Sequence, residues 1–211
     1  MSKVKGIVKP KPEIILRLVV DTREQKLEYI KSALTSRHDK ENIVLKDYVF
    51  KGLKTGDISF EWSLDRENWH ETSFAIEIKK GMDLFQTLWS HKARFKEELD
   101  RAKELEEFTI VHDYTYTDIQ NEIRLNTLKG LIKFQYAQEG FTNAYFTLCR
   151  THTVICTGTE EKALGACIRR LVKEYFKKNK NRLLKEIEDD TKCETSKRIN
   201  GRRVRKKNTG V

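Results

Sequence analysis

No apolar run in this chain of 211 residues approaches the roughly 20 residues that a membrane span needs. No charged-then-apolar signal segment opens it either. Both absences predict a soluble intracellular protein without a membrane partner: cytoplasmic or nucleoid-associated in a phage or prokaryote, nuclear in a eukaryote. Cysteine is scarce. The four, Cys149, Cys156, Cys167 and Cys193, include no C-x-x-C pair, which argues against a zinc site. Cys149 and Cys156 lie in apolar stretches and read as buried free thiols. The five histidines are scattered without metal or triad spacing, and His91 reads as a surface residue. Internal repeats are absent too.

The 38% hydrophobic content is enough for one domain with a core, plus a tail. The charge is unevenly spread: of the formal +10, +7 lies in the last twenty positions, where eight basic residues stand against Glu194. The composition divides the chain into a flexible basic arm over 1–13, one folded domain over 14–180, and a basic tail over 181–211. That tail is expected to stay disordered, because it cannot bury enough apolar area. It is either a solubilising tail or a phosphate-binding arm.

Within the domain, Ile14 to Val20 is a β-rich run that predicts a central strand ending at Asp21, Thr22, Arg23 and Glu24. Periodicity predicts helices over 24–36, 83–105, 118–138 and 159–178. Strands are predicted over 43–50, 57–62, 73–79 and 108–112, with two short apolar runs over 144–156. The fold class is α/β, a mixed central sheet with flanking helices.

The stretch from Phe74 to Leu84 organises the rest. Strand side chains alternate faces, so Phe74, Ile76 and Ile78 point into a core while Ala75, Glu77 and Lys79 share the other face. The strand over 57–62 reads as half-buried, with Asp57 on its polar face, and a hairpin brings it beside Glu77. An Asp followed by Glu-x-Lys on a strand is the spacing of a divalent-metal nuclease site. Hard carboxylate oxygens suit Mg²⁺, which can activate water and offset charge on a phosphodiester. An ammonium two residues from the Glu can orient the water or contact the phosphate.

Three motifs now stand in order: Val20-Asp21-Thr22-Arg23-Glu24, Gly56-Asp57, and Ile76-Glu77-Ile78-Lys79 with Asp83 four residues on. Over roughly Leu16 to Lys178 the chain resembles the ERCC4-type (XPF/Mus81-like) nuclease domain, a branch of the PD-(D/E)XK superfamily. That family carries V-D-x-R-E, G-D and E-R-K-x-x-x-D in the same order; Ile78 stands where it has arginine. The resemblance implies a restriction-endonuclease-like sheet and a Mg²⁺-dependent endodeoxyribonuclease, with Mn²⁺ as a substitute. Asp57, Glu77 and Asp21 would be metal ligands or groups close to them. Lys79 would position water or phosphate, with support from Arg23, Glu24 and Asp83. The substrate would be branched double-stranded DNA (flap, fork or Holliday junction), cut in that family often by dimers, so a homodimer is expected. No tandem helix-hairpin-helix module follows Lys178, and the basic tail takes its place as the expected grip on DNA. The expected DNA contacts are Lys80, Lys92 and Arg94 near the junction and Arg202, Arg203, Arg205, Lys206 and Lys207 in the tail. Two other readings stand beside this one: a catalytically silent DNA-binding module, and a PD-(D/E)XK nuclease of another branch acting on linear DNA.

Overall fold

A strand that is apolar on both faces belongs in the middle of a covered sheet. In the computed structural model, β1 (Ile14–Asp21) takes that place, with only Arg17 not fully buried. The structure describes residues 13–24, 28–34, 43–130 and 134–207, with the side chains of 134, 135 and 188–207 outside that set. β2 (Ile43–Lys51) pairs parallel with β1 on one side, and β3 (Ile58–Ser63) pairs antiparallel on the other. β4 (His70–Glu71) and β5 (Phe74–Lys79) both pair antiparallel with β3. β6 (Glu107–His112) and β7 (Thr153–Cys156) then extend the sheet in parallel. The resulting order is β2-β1-β3-β5-β6-β7, a mixed sheet of seven strands when β4 is included. The α/β class and the mixed sheet are as expected from the sequence.

Parallel neighbours need long crossovers, and helices supply them. α1 (Glu28–Leu34) lies between β1 and β2, α2 (Asp83–Trp89) and α3 (Lys92–Ala102) between β5 and β6, and α4 (Tyr116–Leu128) and α5 (Phe134–Thr151) between β6 and β7. One continuous core joins α2 to α5 with the sheet: Leu84, Leu88, Phe95, Ile110, Ile119 and Phe141 are all buried in it. α6 (Glu161–Lys207) ends the chain. Among the described residues no helix is long and apolar enough to cross a membrane. The chain divides into two compact units, Met1–Val172 and Lys173–Val211, and α6 runs from the first into the second.

Several sequence readings change here. The helix predicted over 83–105 breaks at Ser90 and His91, where His91 has left helical backbone angles. The helix predicted over 118–138 breaks at Lys129 and Gly130, and Gly130 has a positive φ of 70°. The apolar runs after 144 are the end of α5 and then β7, so Leu128 at the break is 77% exposed and not part of the core stripe. The thiols of Cys149 and Cys156 are exposed, not buried, because β7 is an edge strand and Cys149 lies on the outer side of α5. β3 is buried almost throughout, not half-buried, because its polar residues are satisfied inside. Ser59 donates to the Phe74 carbonyl at 2.7 Å, and the Glu61 carboxylate pairs with Arg17 and Lys51. The last helix does not end near Lys178. The apolar spacing continues through Leu183, Leu184 and Ile187, and the stretch is rich in Lys, Arg and Glu, which favour helix. The basic side chains of the tail and Cys193 lie outside the described side chains, as do Leu27, Leu131, Ile132 and the arm over 1–12.

The turn before β3 fixes the centre of the sheet. Gly56 has φ +77°, and a Cβ there would stand 2.9 Å from the Ile76 carbonyl oxygen and 3.0 Å from the Ala75 Cβ. Only glycine adopts that backbone at so close an approach. Gly56→Ala is expected to cost on the order of 2–4 kcal/mol, combining left-handed strain with overpacking. Chemical denaturation measures it, and a loss below about 0.5 kcal/mol would show that the turn is not constrained.

Candidate active site

Sheet pairing carries Asp57 and Glu77 to one place. The Asp57 N–H donates to the Ile76 carbonyl at 2.8 Å, and its carbonyl accepts from the Asp21 N–H at 2.8 Å. Its side chain is fixed as well: Asp57 Oδ2 accepts from the Ile78 N–H at 2.7 Å. Next along β5, Glu77 is 4% exposed, and its Oε1 lies 2.5 Å from Lys79 Nζ. Lys79 in turn stands 3.8 Å from Asp83 Oδ2 and 5.5 Å from the centre of the Phe95 ring. The alternation read from the sequence, Glu77 and Lys79 on one face, is what brings these heads together.

These groups open into a cavity of about 300 Å³ lined by Arg23, Glu24, Asp57, Glu77, Ile78, Lys79 and Asp83 from the strand ends. α2 and α3 complete the lining with Thr87, His91, Arg94, Phe95 and Glu98. Five carboxylates therefore face three fixed cations, Arg23, Lys79 and Arg94, which leaves the cavity acidic. Burial pushes the Glu77 carboxyl well above its usual range, and the Asp57 charge pushes it further. Burial raises Asp57 too, against the Ile78 N–H and Lys79, which pull it down. Burial works against the charge on Lys79, yet Glu77, Asp83 and Glu98 hold its pKa above the ordinary lysine value. Lys79 is thus held as a cation, and two carboxylates are buried together with too little positive charge to balance them. Such a donor set fits a divalent oxygen-seeking cation.

Not every predicted site residue enters the cavity. Asp21 is 1% exposed, but its carboxylate is committed elsewhere. Oδ1 accepts from Arg23 Nε at 2.7 Å, and Oδ2 accepts from Arg23 Nη2 at 2.9 Å and from the Leu53 N–H at 2.8 Å. These bonds, the Arg23 side chain first, hold its pKa down to about 2. Asp21 therefore steers Arg23 to the cavity rim and does not line the cavity itself. Lys80 does not line the cavity: its Nζ sits 3.0 Å from Glu161 Oε1 and 4.5 Å from the Tyr29 ring centre, with the side chain partly exposed. Lys92 is exposed and lies against Trp89, 5.3 Å from the ring centre. Arg94 is exposed and lines the cavity as expected. The tail residues Arg202, Arg203, Arg205, Lys206 and Lys207 lie outside the described side chains.

Glu98 and Thr87 carry no motif in the sequence; Phe95 reads there as part of a buried helical stripe, and it is buried, while His91, a surface residue by sequence, is exposed, and both also line the cavity. A signal was present. His91, Arg94, Phe95 and Glu98 are spaced i, i+3, i+4, i+7, one face of a helix. The break at Ser90 and His91 starts α3 afresh with that face toward the cavity. Comparison with family models and with curated proteins finds no match to this chain.

Crowded buried carboxylates carry a stability cost that can be measured. Both Asp57 and Glu77 have folded-state pKa values above their unfolded ones. Their stabilising contribution is therefore complete below about pH 4 and is lost as pH rises through the raised folded values. Asp57→Asn keeps an oxygen for the Ile78 N–H and removes one charge. Without metal, at about pH 8, the variant is expected to be more stable by roughly 1–3 kcal/mol, about 1.4 kcal/mol per pKa unit relieved. The difference from the parent should shrink toward about pH 5 as the carboxyls protonate. Thermal melts at both pH values check it; a variant that melts lower than the parent at both would contradict the like-charge account.

Proposed function

We propose that the chain is a Mg²⁺-dependent, structure-selective endodeoxyribonuclease that hydrolyses phosphodiester bonds at branched DNA. In this reading it has a restriction-endonuclease-like sheet of the ERCC4-type branch. The observation that carries this reading is the convergence of Asp57, Glu77 and Lys79 in one acidic cavity rimmed by Arg23 and Arg94. The sheet order supports it as well, because the two carboxylates come from the antiparallel β3–β5 junction at the centre of the sheet.

Asp57 and Glu77 would hold the cation, with Glu24, Asp83 and Glu98 at hand in the lining. When bound, the cation supplies neutralisation of phosphoryl charge and a lowered pKa for water. The protein does the rest. Lys79, kept protonated by Glu77, presents a compact ammonium 2.5 Å from that carboxylate and serves as an electrostatic clamp and water orienter. It is a poor general base for the same reason. The Ile78 N–H keeps the Asp57 carboxylate from rotating, so reorganisation during the reaction is small. Arg23, fixed by Asp21, and Arg94 offer guanidinium groups for the phosphates on either side of the scissile one.

Cleavage of flapped, four-way and linear duplexes with and without Mg²⁺ tests the proposal. Metal-dependent cutting is expected on the branched substrates. Glu77→Gln should abolish it while leaving DNA binding largely intact, and Lys79→Ala should slow single turnover by about 10²-fold, as for loss of a transition-state donor. Lys80→Ala should be mild by comparison, since its head is committed to Glu161. Linear duplex cut as fast as flapped DNA would place the chain in another PD-(D/E)XK branch. Binding without cleavage at any Mg²⁺ concentration would make it a silent DNA-binding module.

A further inference from the structure

Phosphodiester hydrolysis has two ends, and Asp57, Glu77 and Lys79 serve only one of them, the attacking water and the phosphoryl oxygens. At the other end the breaking bond leaves its electrons on a deoxyribose oxygen. An alkoxide departs slowly unless it is given a proton. A donor for that proton must stand in the cavity, have its polar atoms free, and lose and regain a proton near neutral pH.

The lining leaves one choice. Arg23 and Arg94 are guanidinium groups, which keep their protons in proteins. Lys79 is held in its charged form by Glu77. Asp57 and Glu77 are the carboxylates that would hold the cation, with Glu24, Asp83 and Glu98 as further anions in the lining. Thr87 offers only a hydroxyl, a very weak acid. That leaves His91, whose side-chain type is the one that changes charge in the physiological range.

His91 is held by its backbone while its ring stays free. Its N–H donates to the Gln86 carbonyl at 3.0 Å, and its carbonyl accepts at 3.0 Å from the N–H of Phe95, which is buried in the core. Although it stands at the start of α3, its side chain makes no capping bond. Among the described residues the ring has no hydrogen bond, ion pair or ring contact. The other described histidines are engaged. His70 packs with its centre 5.0 Å from the Trp62 ring, His112 Nδ1 lies 2.6 Å from the Tyr114 carbonyl oxygen, and His152 Nδ1 lies 2.8 Å from Thr151 Oγ1. None of these lines the cavity. Among the described residues, then, the uncommitted imidazole is the one at the cavity, on its helical wall, while Asp57, Glu77 and Lys79 form the strand wall. An in-line displacement needs its attacking and leaving groups on two sides of phosphorus, and two walls of different chemistry supply that.

We propose, resting on the nuclease reading of the same cavity, that His91 is its general acid and gives a ring proton to the leaving deoxyribose oxygen. The water oxygen bonds to phosphorus as the bond from phosphorus to the deoxyribose oxygen breaks. The electron pair of the broken bond stays on that oxygen and takes up the His91 proton, so a hydroxyl departs and a neutral ring remains. The spare proton of the water goes to solvent, and solvent returns one to the ring.

Flapped DNA carrying sulfur in place of the bridging oxygen that leaves tests this, because a thiolate departs without a proton. Single-turnover cleavage by His91→Gln should fall by about 10²-fold with oxygen and by less than about threefold with sulfur. Mn²⁺ binding to the same variant, followed by the electron paramagnetic resonance of the free ion, should match the parent, which shows the cavity intact. Equal losses on the oxygen and sulfur substrates would make His91 a structural or substrate-positioning residue and overturn the proposal. Mn²⁺ binding weakened by about tenfold would make the ring a metal ligand and overturn it as well. No loss with oxygen, while Glu77→Gln abolishes cutting, would overturn the general acid and leave the nuclease standing. A parent protein that cuts neither substrate would overturn both.

Discussion

A backbone amide and a carboxylate, Ile78 N–H on Asp57 Oδ2 at 2.7 Å, join the two halves of the site. The bond ties the residue just before β3 to the strand that carries Glu77 and Lys79. The same residue is tied twice more through its backbone, to Ile76 and to Asp21. Three elements therefore meet at Asp57, and Gly56 is the residue that lets the chain come that near to β5. Buried like charges would relax apart in a softer setting. Here the sheet prevents it, and the strain appears as raised carboxyl pKa values and a lysine locked in its charged form.

The helices add what the strands lack. α2 starts directly after β5 and brings Asp83 and Thr87 over the strand ends. The break at Ser90 and His91 then redirects the chain, and α3 lays His91, Arg94, Phe95 and Glu98 along the opposite wall. Leu84, Leu88 and Phe95 hold this pair of helices on the core, so one surface of each helix packs while the adjoining one lines the cavity. Phe95 does both, which places an apolar ring beside the Lys79 ammonium and keeps bulk water from it.

Much of this was legible because a strand has a period of two. The alternation over Phe74 to Lys79 placed Glu77 and Lys79 on one face, and Asp57 followed from the hairpin. The sheet class followed from the apolar run over Ile14 to Val20. What escaped depended on partners distant in sequence. Asp21 reads like a ligand by position, but Arg23 and Leu53 take up its carboxylate. Lys80 reads as a DNA contact by position, but its ammonium lies beside the Glu161 carboxylate and the Tyr29 ring, both distant in sequence. Cys149 and Cys156 misled because apolar neighbours do not bury a residue on the outer side of a helix or at the edge of a sheet. Ser90 is no helix breaker by composition, so the turn between α2 and α3 had no sequence mark, whereas Gly130 did mark the turn after α4.

The central claim is that Asp57 and Glu77 form a cation site. The most direct measurement is the anomalous scattering of Mn²⁺ in crystals of the protein, collected at the manganese absorption edge. The account requires a peak in contact with both carboxylates, on the cavity side of Lys79. A fully occupied lattice with no peak there, or a peak held only by residues outside the cavity, would contradict it.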